Sequence, residues 1–286
     1  LKRERVRMRK KAVYIFLIPS LLGFLIFFLV PFIGSLYYAC NVDGTFSLNH
    51  FAYTLQNEAF QLGLKNTLLF LLICVPLNIL LPLLVAIAVK NIGEQSRLFR
   101  LAYISPLVVP VASVAIFWSI LFAPGGTVNH ILGIVGIPQT DFLHSGWAVF
   151  VVALIYLWKN LGYMMVLYLA GLSEIPASYY ESASMDGAGA FRKFREITVP
   201  CLWPTVFFVL VLSVVNCFKV FREMFLITGA YPDESVYMLQ HYMNNMFSNT
   251  DYARLTSAAF IITALIVVFL LFMFRLNRGA QKRLGR

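Results

Sequence analysis

AVYIFLIPSLLGFLIFFLVPFIGSLYYA, residues 12–39, carries no charged side chain. A helix of about 20 apolar residues crosses the hydrocarbon core of a bilayer, so this run is long enough to span it. At about 28 residues it also far exceeds the roughly 7–15 of a cleavable secretory signal. Cys40 follows Tyr38-Ala39, but bulky Tyr37 stands where a lipoprotein cleavage site has a small branched residue. The expectation is an uncleaved membrane anchor.

Five more runs downstream have the same character, giving expected spans at about 13–39, 66–89, 101–123, 147–171, 200–222 and 255–274. In lipid every backbone N–H and C=O must be bonded within the chain, which makes each run a helix. The fold class expected is therefore all-α, a polytopic membrane protein with six transmembrane helices. Pro76, Pro82, Pro106, Pro110 and Gly162 fall inside these runs. Spans tolerate such residues because neighbouring helices satisfy the freed carbonyls. Composition agrees: 60% of residues are hydrophobic and 13% charged, where soluble domains carry about a quarter charged.

The net charge of +10 suggests nucleic acid until the basic residues are located. They flank the apolar runs, so the partner is the bilayer surface and no nucleic acid is expected. Leu1–Lys11 holds seven Lys or Arg, and the tail from Arg275 to Arg286 holds five. Lys90, Arg97 and Arg100 follow the second run, and Arg192, Lys193 and Arg195 follow the fourth. Eighteen of 23 basic residues thus lie on one side, while connections 40–63 and 124–146 have none. The positive-inside rule makes both termini cytoplasmic. The layout is a cytoplasmic basic tail (1–12), a membrane domain (13–275) and a second basic tail (276–286).

The energy source is constrained by what is missing. No Asp or Glu lies inside the six runs, Glu223 standing only at the margin of the fifth, so coupling to an ion gradient is disfavoured. Gly187-Ala-Gly-Ala-Phe-Arg-Lys has the wrong spacing for a phosphate loop, and no metalloprotease or hydrolase motif occurs. The chain is expected to have no catalytic residue, metal site or cofactor of its own. Cys40, Cys74, Cys201 and Cys217 match no zinc or redox spacing and predict no disulfide. His130, His144 and His241 fall in external segments and are read as surface polar residues. Trp118, Trp147, Trp158 and Trp203 lie near run ends, where interfacial anchoring is the default.

Polar residues inside two runs mark a path for solute. Tyr156, Asn160 and Tyr163 recur at i, i+4 and i+7 and share one helical face, with Lys159 beside them. Asn216, Lys219 and Glu223 share a face of the fifth run, near Cys217 and Val220. A buried lysine needs water, a carboxylate or exposed carbonyls. These groups can therefore line a polar passage, hydrogen-bond helix to helix, or pair Lys159 with Glu223 alone.

The longest connection on the basic side is LSEIPASYYESASMDGAGAFRKFREITV, 172–199. Pro176 suits a first helical position, Ala177–Met185 favours helix, and Gly187 can adopt the left-handed conformation that ends one. The small residues Ala177, Ser178, Ser182, Ala183 and Ser184 would let this helix approach a partner closely. By spacing alone an ordinary connecting loop is the favoured reading.

Glu181-Ser182-Ala183, three residues, Gly187, nine residues, Ile197, one residue and Val199-Pro200 together resemble the EAA motif of ABC importer permeases. Ser182 stands for the usual alanine and Val199 for leucine. Met185-Asp186-Gly187-Ala188 and Phe194 look like the carbohydrate branch, of maltose and glycerol-phosphate type. So do FLIPSLLGFLIFFLVPFIGSLYY (16–38), Asn66-Thr67, and Thr228-Gly229-Ala230-Tyr231-Pro232, the last departing from the usual Thr-Gly-Gly-Pro.

The resemblance covers nearly the whole chain and implies a type I ABC importer permease fold in the bacterial inner membrane. It implies a second permease subunit as heterodimer partner, two ABC ATPases that hold ATP and Mg, and an extracellular binding protein delivering a sugar. It places Tyr180, Glu181, Ser182, Ala183, Met185, Asp186, Gly187, Ala188, Ile197 and Pro200 at the ATPase. It places Tyr156, Asn160, Tyr163, Asn216, Cys217 and Val220 where the solute site is lined. The alternatives are a permease for another solute or an ion-coupled carrier.

Overall fold

The computed structural model of the chain describes residues 17–42, 44–92, 96–218 and 220–283. Among these, α1 (Leu17–Cys40) leads through a ribbon of β1 (Asn41–Val42) and β2 (Thr45–Phe46) to α2 (Asn49–Gln56) and α3 (Glu58–Asn91). Then come α4 (Ser96–Val108), α5 (Val111–Phe122), α6 (Thr127–Ile134) and α7 (Ala148–Ser173). Short α8 (Ala177–Met185) and α9 (Ala190–Lys193) precede α10 (Val199–Cys217) and α11 (Phe221–Thr228). The chain ends with α12 (Leu239–Ser248) and α13 (Tyr252–Arg283).

Among the described residues, six helical stretches are long and apolar enough to cross a membrane: Leu17–Cys40, Glu58–Asn91, Val111–Ile134, Ala148–Ser173, Ala190–Thr228 and Tyr252–Arg278. The sequence reading had one helix over 101–123; the structure breaks it between α4 and α5. Pro110 has no N–H and turns extended (ψ 138°) as the cap of α5, and proline disfavours helix in the residue before it. The run at 200–222 is interrupted likewise between Cys217 and Phe221.

Contacts group the chain into two units, Leu1–Phe60 with Met243–Leu265, and Gln61–Tyr242 with Ile266–Arg286. In the first, most apolar side chains of α1 are exposed, as in a helix solvated by lipid all round. Phe32 meets Phe260 edge-on at 5.2 Å. Asn41 faces Phe46 in the ribbon, whose turn needs the positive φ of Gly44 (82°) and is held by the Gly44 N–H on Asn41 Oδ1 at 2.8 Å.

In the second unit α7 is the central element, packed against α4 and α10. Its closest approach is at Gly162, where a Cβ would overlap the Tyr103 carbonyl of α4. Asn78 of α3 donates to Ser213 Oγ of α10 at 3.0 Å and to Tyr156 Oη of α7 at 3.4 Å. Tyr156 in turn donates to the Ser213 carbonyl at 3.0 Å. One apolar cluster gathers Phe70, Cys74, Tyr156, Cys217 and Met224. A second, around Leu83, Ala86, Met164, Tyr168, Leu202 and Val209, fills the same three helices beyond Asn78. Lys90 Nζ reaches the Leu172 carbonyl at 2.8 Å, a cation on an orphan carbonyl at the end of α7.

Two tryptophans expected as interfacial anchors are engaged inside the protein. Trp118 is buried, stacked on Phe122 at 5.7 Å and edge-on to Trp158 at 5.6 Å. Trp203 donates to Asn277 Oδ1 at 2.8 Å.

His241 corrects the sequence reading further: it is fully buried, not a surface residue. Its Nδ1 accepts the Met238 N–H at 3.1 Å, and its ring meets Phe221 at 5.0 Å. The bond caps the start of α12 and places the imidazole in an apolar shell. Burial pushes its pKa down from 6.5 to about 4. Protonation at Nδ1 would also remove the acceptor.

Two outcomes follow from this packing. Gly162→Val should separate α4 from α7 and cost about 1–3 kcal/mol by overpacking, read as a lower melting temperature of the purified protein in detergent. For His241 the unfolded chain binds its proton below about 6.5 and the folded chain only near 4. Its stabilising contribution is thus complete above that window and declines as pH falls through it. Melting temperature should drop with acidification between these values, and His241→Asn, which keeps an acceptor near Met238 N–H, should flatten that part of the slope.

Candidate functional site

A cavity of about 690 Å³ opens within the second unit. One wall is α7, contributing Tyr156, Lys159, Asn160 and Tyr163. The facing wall is the end of α10 and the start of α11, with Asn216, Val220, Phe221, Arg222 and Glu223. Leu107 of α4, Val111 of α5 and Gln240 of α12 complete it.

Helix geometry explains the first wall: positions 156, 159, 160 and 163 fall on one side of α7, while Ile155, Met164 and Tyr168 turn into the cores. The second wall depends on the break after Cys217. Interrupting the helix frees carbonyls, and Gln240 Nε2 donates to one of them, that of Phe218. Glu223, in the first turn of α11, is thereby brought against Lys159, and the two form an ion pair with side chains 10% and 14% exposed. The pairing left open by the sequence is the one adopted.

The amides of the cavity are matched to each other. Asn160 Nδ2 donates to the Tyr156 carbonyl at 2.9 Å, and Asn216 Nδ2 to Asn160 Oδ1 at 3.2 Å. Of the nine residues expected on the path, seven line this cavity. Cys217 does not: it is buried in the apolar cluster behind the wall. Lys219 lies outside the described residues. Sequence reasoning missed Arg222 and Gln240. Arg222 was signalled by charges at 219, 222 and 223 in an apolar run; Gln240 was not, because only tertiary folding brings α12 here.

The expected coupling residues gather elsewhere, in the loop between α7 and α10. There α8 ends in a Schellman cap: Gly187 N–H bonds the Ser184 carbonyl at 3.0 Å and Ala188 N–H the Ala183 carbonyl at 2.9 Å. Gly187 sits at φ 73°, in the left-handed region. Tyr180 Oη is 2.9 Å from Thr198 Oγ1, and Lys193 Nζ donates to Ser184 Oγ at 2.7 Å. These bonds fold the loop on itself. Glu181, Ser182 and Asp186 are exposed, Ala183, Ala188, Ile197 and Pro200 half-buried. Met185 and Phe191 are 89% and 76% exposed, large apolar groups left uncovered by this chain.

Residues 66–286 match the family described as "Binding-protein-dependent transport system inner membrane component". The chain is 29% identical to the sn-glycerol-3-phosphate transport system permease protein UgpA of Yersinia pestis bv. Antiqua (strain Antiqua), covering 92% of each. It is 28% identical to the probable ABC transporter permease protein YesP of Bacillus subtilis (strain 168), covering 96% of this chain and 93% of that one. Its fold matches a chain of a bacterial ABC transporter involved in the import of the acidic polysaccharide alginate. That match has a TM-score of 0.87 at 24% identity, over 98% of this chain and 99% of the other.

The ion pair yields a double-mutant test. Removing one partner of a buried pair leaves an uncompensated charge, at about 3–5 kcal/mol. Lys159→Met and Glu223→Gln should each lower the melting temperature in detergent strongly, and the double variant should recover much of the loss.

Proposed function

We propose, from the premise that the chain belongs to the family of binding-protein-dependent transport system inner membrane components, that it is the permease subunit of an ABC importer carrying a sugar or oligosaccharide. The observation that supports this most directly is connectivity. The loop 174–198 joins the same two helices, α7 and α10, whose polar faces wall the cavity.

In this reading a sister permease completes the passage, and an external binding protein delivers the solute to it. Two ATPase subunits, which hold ATP and Mg, lie on the cytoplasmic side with both termini of this chain. The chain itself is a transport subunit without catalytic residues. Exposed Tyr179, Met185 and Phe191 around Glu181 form the apolar face seated on one ATPase. ATP binding draws the ATPases together and moves α8, and the ends of α7 and α10 follow. Tyr156, Lys159, Asn160, Tyr163, Asn216, Val220 and Glu223 face the solute. Tyrosine faces suit sugar rings and amides match hydroxyls. The sugar assignment also draws support from the alginate transporter and the glycerol-phosphate permease named above.

Purification from native membranes should recover a second permease and an ABC ATPase in stoichiometric amounts. Recovery of the chain alone, with uptake driven by an ion gradient, would replace this reading with a carrier. The coupling loop has its own test. A β-branched residue at the left-handed Gly187 position is strained by about 1–2 kcal/mol and would unmake the cap. Gly187→Val should lower ATP-dependent uptake by about tenfold or more with membrane insertion unchanged; normal uptake would refute the coupling role.

A further inference from the structure

The cavity wall carries three charged residues among those described: Lys159, Arg222 and Glu223. Lys159 and Glu223 neutralise each other. Asn160, Asn216 and Gln240 each have one amide N–H committed to the protein. Arg222 differs: it is exposed on the cavity side of α11 and makes no ion pair or hydrogen bond with another described residue. Among its described residues the wall therefore keeps one net positive charge after its internal pairing, borne by a guanidinium.

A guanidinium presents a planar fork of donors that matches a carboxylate or a phosphate two bonds at a time. A neutral sugar offers hydroxyls, for which amides and hydroxyls suffice, and leaves such a cation uncompensated. Phe221 beside Arg222 and Tyr163 opposite supply flat apolar faces for a sugar ring. The geometry thus combines a ring platform with an anion fork.

We propose that Arg222 selects the solute and that the solute is an acidic sugar, its carboxylate or phosphate bound by this side chain; the proposal rests on the importer reading above. The Lys159–Glu223 pair has a part in this. By holding Glu223 neutralised, Lys159 keeps a carboxylate adjacent to Arg222 from competing with the solute anion.

The test uses the intact importer assembly purified in detergent and titrated calorimetrically with digalacturonate, glucose phosphate and cellobiose. At least one acid should bind saturably and more tightly than neutral cellobiose, and the two acids distinguish carboxylate from phosphate. Arg222→Gln should weaken the acid by about 10- to 100-fold and leave cellobiose unaffected, while Arg222→Lys retains part of the affinity. Binding of neither acid, tighter binding of cellobiose, or equal affinity in Arg222→Gln would each overturn the proposal. Recovery of the ATPase with the chain is scored on the same preparation, so a failed importer reading is recognised separately from a failed anion preference.

Discussion

Hydrocarbon offers no hydrogen-bond partner, so every polar group that enters it must be answered by another part of the same protein. Much of the second unit can be understood as the set of answers. Asn78 spans three helices with one amide. Glu223 is met by Lys159, and the carbonyl of Phe218, freed where the helix breaks, is met by Gln240 from α12. The apolar clusters fill the space between these points but do not choose the register. Leucine and methionine can slide past one another at small cost, whereas an unmatched amide or carboxylate costs several kcal/mol. The polar contacts therefore set where α7 stands against α10, and the cavity is the space left at that setting.

The membrane fold is highly legible in the sequence, because a requirement for about 20 apolar residues leaves a plain mark. The breaks inside the spans were less so. Pro110 marked the site of the α4–α5 interruption, but Pro76 and Pro82 lie within the unbroken α3. Proline alone does not decide whether a helix stops; the neighbours that receive its freed carbonyl do. The cavity was half legible. The helical period placed Tyr156, Asn160 and Tyr163 on one face, yet it could not tell that Cys217 turns away from the path into the core. His241 was misread for a related reason. A polar residue in a polar segment looks like surface until the segment is seen to fold back over an apolar cluster.

The loop 174–198 is compact on its own terms and incomplete in another sense. Its helix α8 is capped and the hydroxyls of Tyr180, Ser184 and Thr198 are bonded within it, so it holds its shape by its own contacts. Met185 and Phe191, by contrast, are left uncovered. A preformed element with an uncovered face loses little conformational entropy on docking, which suits the ATPase contact proposed above.

The Asn78 contact has a mechanical consequence. The helices on either side of the loop, α7 and α10, are tied to each other and to α3 by the Asn78, Tyr156 and Ser213 bonds. A push on the loop cannot spread the two helices like the arms of tweezers, because the clasp above it holds them together. In the proposed importer a stroke at the loop would reach a braced strut and arrive at the cavity as a tilt of one body. The rigidity of a buried amide would thereby convert a local displacement into leverage over the length of the span.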